Sequence, residues 1–385
     1  MKRSNLFAAL ILVLIPSLAV AQEDPHVERA LRVLSTTPLI DGHNDLPWAI
    51  RQSDLAPKDV HHEAHDLRTR TPFHTDIERL REGHVGAQYW SVYIPFGAVE
   101  DGAAMTQLEQ IDIALEIIDT YPDVFGLALD ASDVERIFGE GRIASILGME
   151  GGHAIENSLG ALRAFHALGV RYMTLTHNGT IDWADSAADT ARHDGLTAFG
   201  REVVHEMNRL GMLVDLSHTS PATMNDALDV AEAPVIWSHA AAHGVREHIR
   251  NVPDQVLQRL PENGGVVMVT FVPSFVSAAE QATLSDVADH IDHVANLAGI
   301  DHVGIGSDFD GIDSTPLGLE DVSTFPALFA ELSRRGWTDE ELAKLAGGNL
   351  LRVMREAEAV ARRLQRERPP STATIEALDG ASGGG

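Results

Sequence analysis

Thr37-Pro-Leu-Ile-Asp-Gly-His-Asn-Asp45 is the stretch on which the reading of the fold turns. A short apolar run stops abruptly at His43 and Asp45, two residues apart. In extended backbone such a pair projects to one face. An imidazole and a carboxylate then leave the strand end side by side, a geometry suited to gripping a divalent metal. A His-x-Asp pair alone says little, but the pattern recurs. An apolar run followed by His, Asp or Glu returns in Leu147-Gly-Met-Glu150, Thr174-Leu-Thr-His177, Val214-Asp-Leu-Ser-His218, Val235-Ile-Trp-Ser-His239 and Gly304-Ile-Gly-Ser-Asp308.

These runs fall into a regular alternation. Strands are expected at Leu39–Asp41, Val85–Ile94, Ile143–Met149, Tyr172–Thr176, Leu213–Leu216, Val235–Trp237, Val266–Phe271 and Val303–Gly306. Between them lie stretches with apolar residues at helical spacing, among them Met105–Tyr121, Ser158–Leu168, Ala198–Leu210 and Val287–Leu297. No linker or repeat divides the region. Eight strands alternating with helices predict a single TIM-barrel-like (β/α)8 domain over residues 22–366. A doubly wound open sheet is the alternative, but no Gly-rich phosphate loop follows the first strand. Additional C-terminal helices are expected after Trp337, with Thr338 as an N-cap ahead of Asp339-Glu340-Glu341, and Asn349 as a cap for the last one.

On that map His43, Asp45, Glu150, His177, His218, His239 and Asp308 all sit at C-terminal strand ends, the face where barrel enzymes build their sites. Singly, each has an ordinary structural role open to it, such as a helix cap or a hydrogen-bonded histidine. Together the carboxylates would repel and lose solvation, a conflict that two divalent cations would relieve. The fifth and sixth expected strands are barrel neighbours, so His218 and His239 are able to share one metal. His43 and Asp45 can hold another, and Glu150 can bridge. Two ions about 3.5–4 Å apart can carry a hydroxide formed near neutral pH, and Asp308 is suited to move its proton. Imidazole-rich ligation without cysteine favours Zn(II), with Mn(II) or Co(II) as substitutes.

The chain resembles the membrane (renal) dipeptidases, a family of dinuclear zinc metallopeptidases. The similarity rests on Ile40-Asp-Gly-His-Asn-Asp-Leu-Pro-Trp48, Gln88-Tyr-Trp-Ser-Val-Tyr93, Gly148-Met-Glu-Gly-Gly-His153, Arg171-Tyr-Met-Thr-Leu-Thr-His-Asn178, Asp215-Leu-Ser-His218, Trp237-Ser-His239, Arg250-Asn-Val-Pro-Asp254, Gly306-Ser-Asp-Phe-Asp-Gly311 and Gly347-Gly-Asn-Leu-Leu-Arg-Val353. The resemblance implies that His43 and Asp45 bind one zinc, that Glu150 bridges, and that His218 and His239 bind the second. It further implies Asp308 as proton shuttle, His177 as donor to the tetrahedral oxyanion and Arg250 as partner of the substrate carboxylate. One departure stands out: Phe275 takes the place of a pocket tyrosine in the family. His153 either orients a metal ligand or plays a plain structural role. His61, His62 and His65 lie in a polar stretch that is either solvated or a lid, and Trp48 and Trp183 either wall the pocket or pack.

The remaining features bound the surroundings. Met1-Lys-Arg, the apolar Leu6–Val20 and Ala19-Val20-Ala21 have the layout of a secretory signal peptide, residues 1–21. Its removal, taking Lys2 and Arg3 and no acid, shifts net charge from −28 to −30. So acidic a chain argues against nucleic-acid or anionic-membrane partners. The chain has no cysteine, so neither disulfides nor a lipid on cysteine are expected. Residues 367–385, rich in Pro, Ser and Gly, read as a disordered tail. The expected protein is exported, periplasmic or secreted, without stable membrane insertion, acts on dipeptides, and forms a homodimer if it follows related enzymes. The alternatives are a dinuclear metal amidohydrolase acting on N-acyl amino acids or lactams, and an exported binding protein without turnover.

Overall fold

The computed structural model describes residues 24–100 and 102–380, so the signal-peptide reading of residues 1–21 lies outside the described residues. Nine parallel strands form one sheet: β1 (Leu39–Asn44), β2 (Val85–Ser91), β3 (Phe125–Leu127), β4 (Ile143–Glu150), β5 (Val170–Thr174), β6 (Leu213–Asp215), β7 (Ile236–Ala240), β8 (Val266–Val269) and β9 (Val303–Ile305). The order β2-β1-β9-β8-β7-β6-β5-β4 closes on itself because β2 also pairs with β4, Ala87 to Ser91 against Ala144 to Gly148. That is the eight-stranded barrel expected from the alternation, with helices around it.

The ninth strand, β3, was not expected. It pairs with Ile143 to Ser145 of β4, on the flank that β5 takes over from Leu147 onward. Three residues are too few to show a period of two in sequence. The expected strand ends also shift: β1 runs on through His43, β4 includes Glu150 and β7 runs through His239. Parallel strands buried on both faces read as continuous apolar runs, and a polar residue inside the last turn of pairing does not interrupt the ladder.

Local signals set the helix limits. Thr197 accepts from Gly200 N at the start of the helix Ala198–Leu210, which stops at Gly211 with φ 81°. Thr283 and Asp286 form a capping box for Leu284–Ala298, and Thr338 and Glu341 form one for Asp339–Ala343. Asn349 is no cap. The chain passes from Asp339–Ala343 into Asn349–Glu367 through a π-type turn, and Asn349 Nδ2 donates instead to the carbonyls of Ile300 and Val303, 2.7 and 2.9 Å away. Leu350, Val353, Met354 and Ala357 of this last long helix join Ile40, Tyr89, Ile146, Tyr172 and Met268 in one buried cluster. Gly347 passes so close to Pro38 O that a Cβ there would come within 2.3 Å, which fixes the helix start against the entry to β1.

The disordered-tail expectation for residues 367–385 is corrected over the described part. Ser371 O accepts from Arg163, the short helix Ile375–Asp379 buries Ile375, and Asp379 accepts from Thr197 Oγ1 and Phe199 N. One apolar side chain and a few hydrogen bonds dock the segment, too little to register in composition.

Candidate active site

Six strands deliver side chains to one cavity. His43 and His239 stand inside β1 and β7, Glu150 closes β4, and Asp45 follows β1 directly. His177, His218 and Asp308 each lie three residues beyond β5, β6 and β9. His218 and Asp308 adopt left-handed backbone, φ 65° and 69°, as does Asp310 at 65°. Such φ is uncommon outside glycine and is held only when neighbours over-determine it. Here Asp308 N donates to His43 O at 3.0 Å and Gly311 N to Asp308 O at 3.2 Å, while His218 O accepts from Ala187 N at 2.7 Å.

The donor atoms converge. Glu150 Oε1 lies 3.0 Å from His218 Nε2 and 3.3 Å from His239 Nε2, and Glu150 Oε2 lies 3.7 Å from His43 Nε2. His43 Nε2 is 3.1 Å from Asp45 Oδ2 and 3.9 Å from Asp308 Oδ1. Three sets, His43/Asp45/Glu150, Glu150/His218/His239 and His43/His239/Asp308, each bring their ligand atoms within 4.8 Å of one another. Two features show that these residues fit cations. His43 Nε2 and Asp45 Oδ1 are buried with no hydrogen-bond partner. His218 Nε2 and His239 Nε2 face each other at 2.9 Å while each second ring nitrogen is engaged, by Asn178 Oδ1 at 3.1 Å and Ser238 Oγ at 2.9 Å. Imidazole nitrogens with their other N–H so occupied present lone pairs to the same space.

Electrostatics divide the cluster. Burial lowers His43, but Asp45, Glu150 and Asp308 outweigh it and lift the imidazole to about 10. Glu150 and Asp308 are both raised, chiefly by burial and further by neighbouring carboxylates. His218 and His239 are pushed well below the usual imidazole range by burial and by nearby cationic groups. Crowded carboxylates and neutral imidazoles thus meet at Glu150.

The cavity has a volume of ≈ 430 Å³ and is walled by Trp48, Tyr93, His177, Asn178, Arg250, Phe275, Gly311 and Ile312 besides the cluster. Arg250 is buried to 7 % exposure, with Nε and Nη2 unpartnered. Burial lowers it to about 10, so it stays cationic near neutral pH. Its guanidinium sits 5.1 Å from the centre of the Phe275 ring, and Asn251 Nδ2 ties the two by donating to Phe275 O at 2.8 Å. His177 is lowered to about 3 by burial and the Arg250 charge, which leaves a neutral ring able to donate one N–H. Its ring lies 4.2 Å from that of His218 and 4.8 Å from that of Tyr93.

The other sequence candidates separate. Trp48 lines the cavity, edge-on to Tyr93, whereas Trp183 is fully buried against Phe199. His153 packs under Gly151 and edge-on to Phe96. His65 is a buried structural residue bonded to Asp59 O and Ser53 Oγ, and His61 pairs with Glu116. Sequence reasoning assigned no role to Tyr93, Asn178 or Gly311. Tyr93 and Asn178 follow β2 and β5 at the same barrel end, a placement that would have flagged them.

A family model described as membrane dipeptidase, peptidase family M19, matches residues 27–368. Among solved structures, a dipeptidase of the same family is 28% identical, with a TM-score of 0.74, over 84% of this chain and 99% of its own. A metallopeptidase from Rhodobacter sphaeroides, liganded with a phosphinate mimic of the dipeptide L-Ala-D-Ala, is 27% identical with a TM-score of 0.73, over 83% of this chain and 99% of its own. A probable dipeptidase from Pseudomonas aeruginosa, PvdM, shares the fold at 23% identity and a TM-score of 0.80, over 88% and 100%.

Proposed function

The chain belongs to the membrane dipeptidase family, peptidase family M19, and from that premise we propose that it hydrolyses dipeptides at two zinc ions. It is a metallo-dipeptidase by family; the zinc, the count of two and the residue roles are our reading. The observation that carries it is Glu150, whose two oxygens reach His218 and His239 on one side and His43 on the other. His43 and Asp45 would hold the first ion, His218 and His239 the second, and Glu150 would serve both.

Bound there, the ions supply Lewis acidity and a water acidic enough to ionise near neutral pH. The chain's own groups do the rest. Arg250 grips the terminal carboxylate with its unpartnered guanidinium nitrogens. His177 donates its N–H to the carbonyl oxygen as that oxygen gains charge. Asp308, its carboxyl held above the usual range by burial, takes the proton of the attacking water and returns it to the departing amine. A zinc-loaded sample incubated with free L,L and L,D dipeptides tests this: both free amino acids are expected, and intact dipeptides would refute it.

Phe275 favours a second reading, a dinuclear amidohydrolase for N-acyl amino acids or lactams, since the wall beside Arg250 lacks a hydroxyl there. Acylated substrates in the same panel decide between the two. Among the described residues, no helix is long and apolar enough to cross a membrane. We also propose export, on the layout of residues 1–21, with fractionation of expressing cells as the check, and homodimer formation, checked by mass in solution.

A further inference from the structure

Ser238 precedes His239 on β7, and its hydroxyl makes two short contacts, 2.6 Å to Asp215 Oδ2 and 2.9 Å to His239 Nδ1. A hydroxyl has one hydrogen. The other groups bonded to Asp215 are all donors: Ser238 N at 2.8 Å, Ser217 N at 3.1 Å and Thr174 Oγ1 at 2.5 Å. The Ser238 hydrogen therefore goes to Asp215, and its oxygen accepts from His239 Nδ1–H. That leaves His239 Nε2 with a lone pair, aimed at the space shared with His218 Nε2 and Glu150 Oε1. Asp215, Ser238 and His239 are all essentially without exposure to solvent.

We propose that Asp215, acting through the Ser238 hydroxyl, is a positioning residue for the His239 metal ligand, fixing its tautomer and strengthening its donation to the ion it shares with His218. A carboxylate behind a ligand imidazole orients the ring and raises its basicity; here a serine hydroxyl carries that contact. The other two imidazoles have neutral partners instead. His43 Nδ1 meets the Tyr172 hydroxyl at 2.8 Å, and His218 Nδ1 meets the Asn178 amide oxygen at 3.1 Å. Ser238 contacts His239 directly, whereas His43 is reached only through the Tyr172 hydroxyl, which neighbours Ser238 and Asp215; the His43/Asp45 ion is therefore expected to change less and serves as the reference. The inference rests on the metal-binding part of the proposed function and not on the substrate.

The test is a chelator competition on the zinc-loaded chain, with bound ions counted at each step. Ser238→Ala is expected to weaken one of the two ions about 10–100-fold and leave the other within about threefold. Asp215→Asn is expected to do the same. Thr174→Val removes a hydrogen bond from the same carboxylate without breaking the link to His239, and is expected to keep both ions. Should Asp215→Asn not fold, Ser238→Ala decides. The inference is overturned if Ser238→Ala holds both ions unchanged, if both weaken alike, if Thr174→Val weakens the same ion equally, or if the unaltered chain binds no zinc. A chain that shows the expected shift but leaves dipeptides intact refutes the substrate assignment and not this one.

Discussion

The two halves of the cluster solve opposite problems with similar side chains. On the β1 side, His43 is crowded by Asp45, Glu150 and Asp308 and is pushed up to about 10. On the β6–β7 side, His218 and His239 are buried beside each other and beside cationic groups, and both are pushed well below the imidazole norm. The first half draws positive charge in whatever form is available, while the second offers lone pairs that are already free. Identical residue types would therefore take up a cation by different routes, because the charge around them differs.

The strongest test separates the halves. His43→Ala is expected to reduce activity to background and to drop the metal count from two to one, with the His218/His239 ion still present by metal analysis. Loss of both ions would show the halves to be one site. Asp308→Asn is expected to lower kcat about 10²–10⁴-fold while both ions remain; near-normal turnover would remove it as proton shuttle.

Smaller effects sharpen the contrast. A Cβ on Gly311 would come within 2.3 Å of Asp45 Oδ2 and 2.8 Å of Asp308 Oδ1. Gly311→Ala is therefore expected to weaken the first ion by about tenfold, a disturbance of the ligand's surroundings, and to spare the second. The pH dependence has a definite sign. His43 has its folded value raised from 6.5 to about 10, so in the metal-free chain its contribution to stability is complete below about pH 6.5 and is lost as pH rises through about 10. Thermal melts of chelator-stripped protein should show falling Tm across that window and zinc-loaded protein should not. In the same window, binding at the His43 side should displace the His43 proton, whereas His218 and His239 have none to give and Glu150, also raised, releases its share to whichever ion arrives first; calorimetry in buffers of different ionisation heat measures the difference. Least of all, Phe275→Tyr restores a hydroxyl beside Arg250 and is expected to change KM by tenfold or less, about 1.4 kcal/mol, with kcat nearly constant.

The barrel was legible because parallel strands buried on both faces leave uninterrupted apolar runs, and its working end because six of the eight runs end in a polar residue of a metal-binding type. His43, Asp45, Glu150, His177, His218, His239 and Asp308 could all be picked out on that rule, and the structure brings them to one cavity. Tyr172 and Ser238 could not. They lie inside strands, where sequence gives no sign that a phenol or hydroxyl meets the far nitrogen of a histidine. β3 was too short to show a period, and the docked segment 371–379 too poor in apolar residues to stand out from a loose tail.

Residue type and order along the chain, by themselves, determined the barrel, its working end and the chemical character of the donors, since these follow from local periodicity and from what imidazoles and carboxylates can ligate. Only the tertiary structure decided how those donors are shared. His43 and Tyr172 are 129 residues apart, and Ser238 and Asp215 are 23 apart. The first contact crosses the barrel interior between β1 and β5, which do not pair, and the second joins the paired strands β6 and β7. The closure of the sheet sets Glu150 between its three histidines and gives each half of the cluster its own charge, which no local pattern encodes.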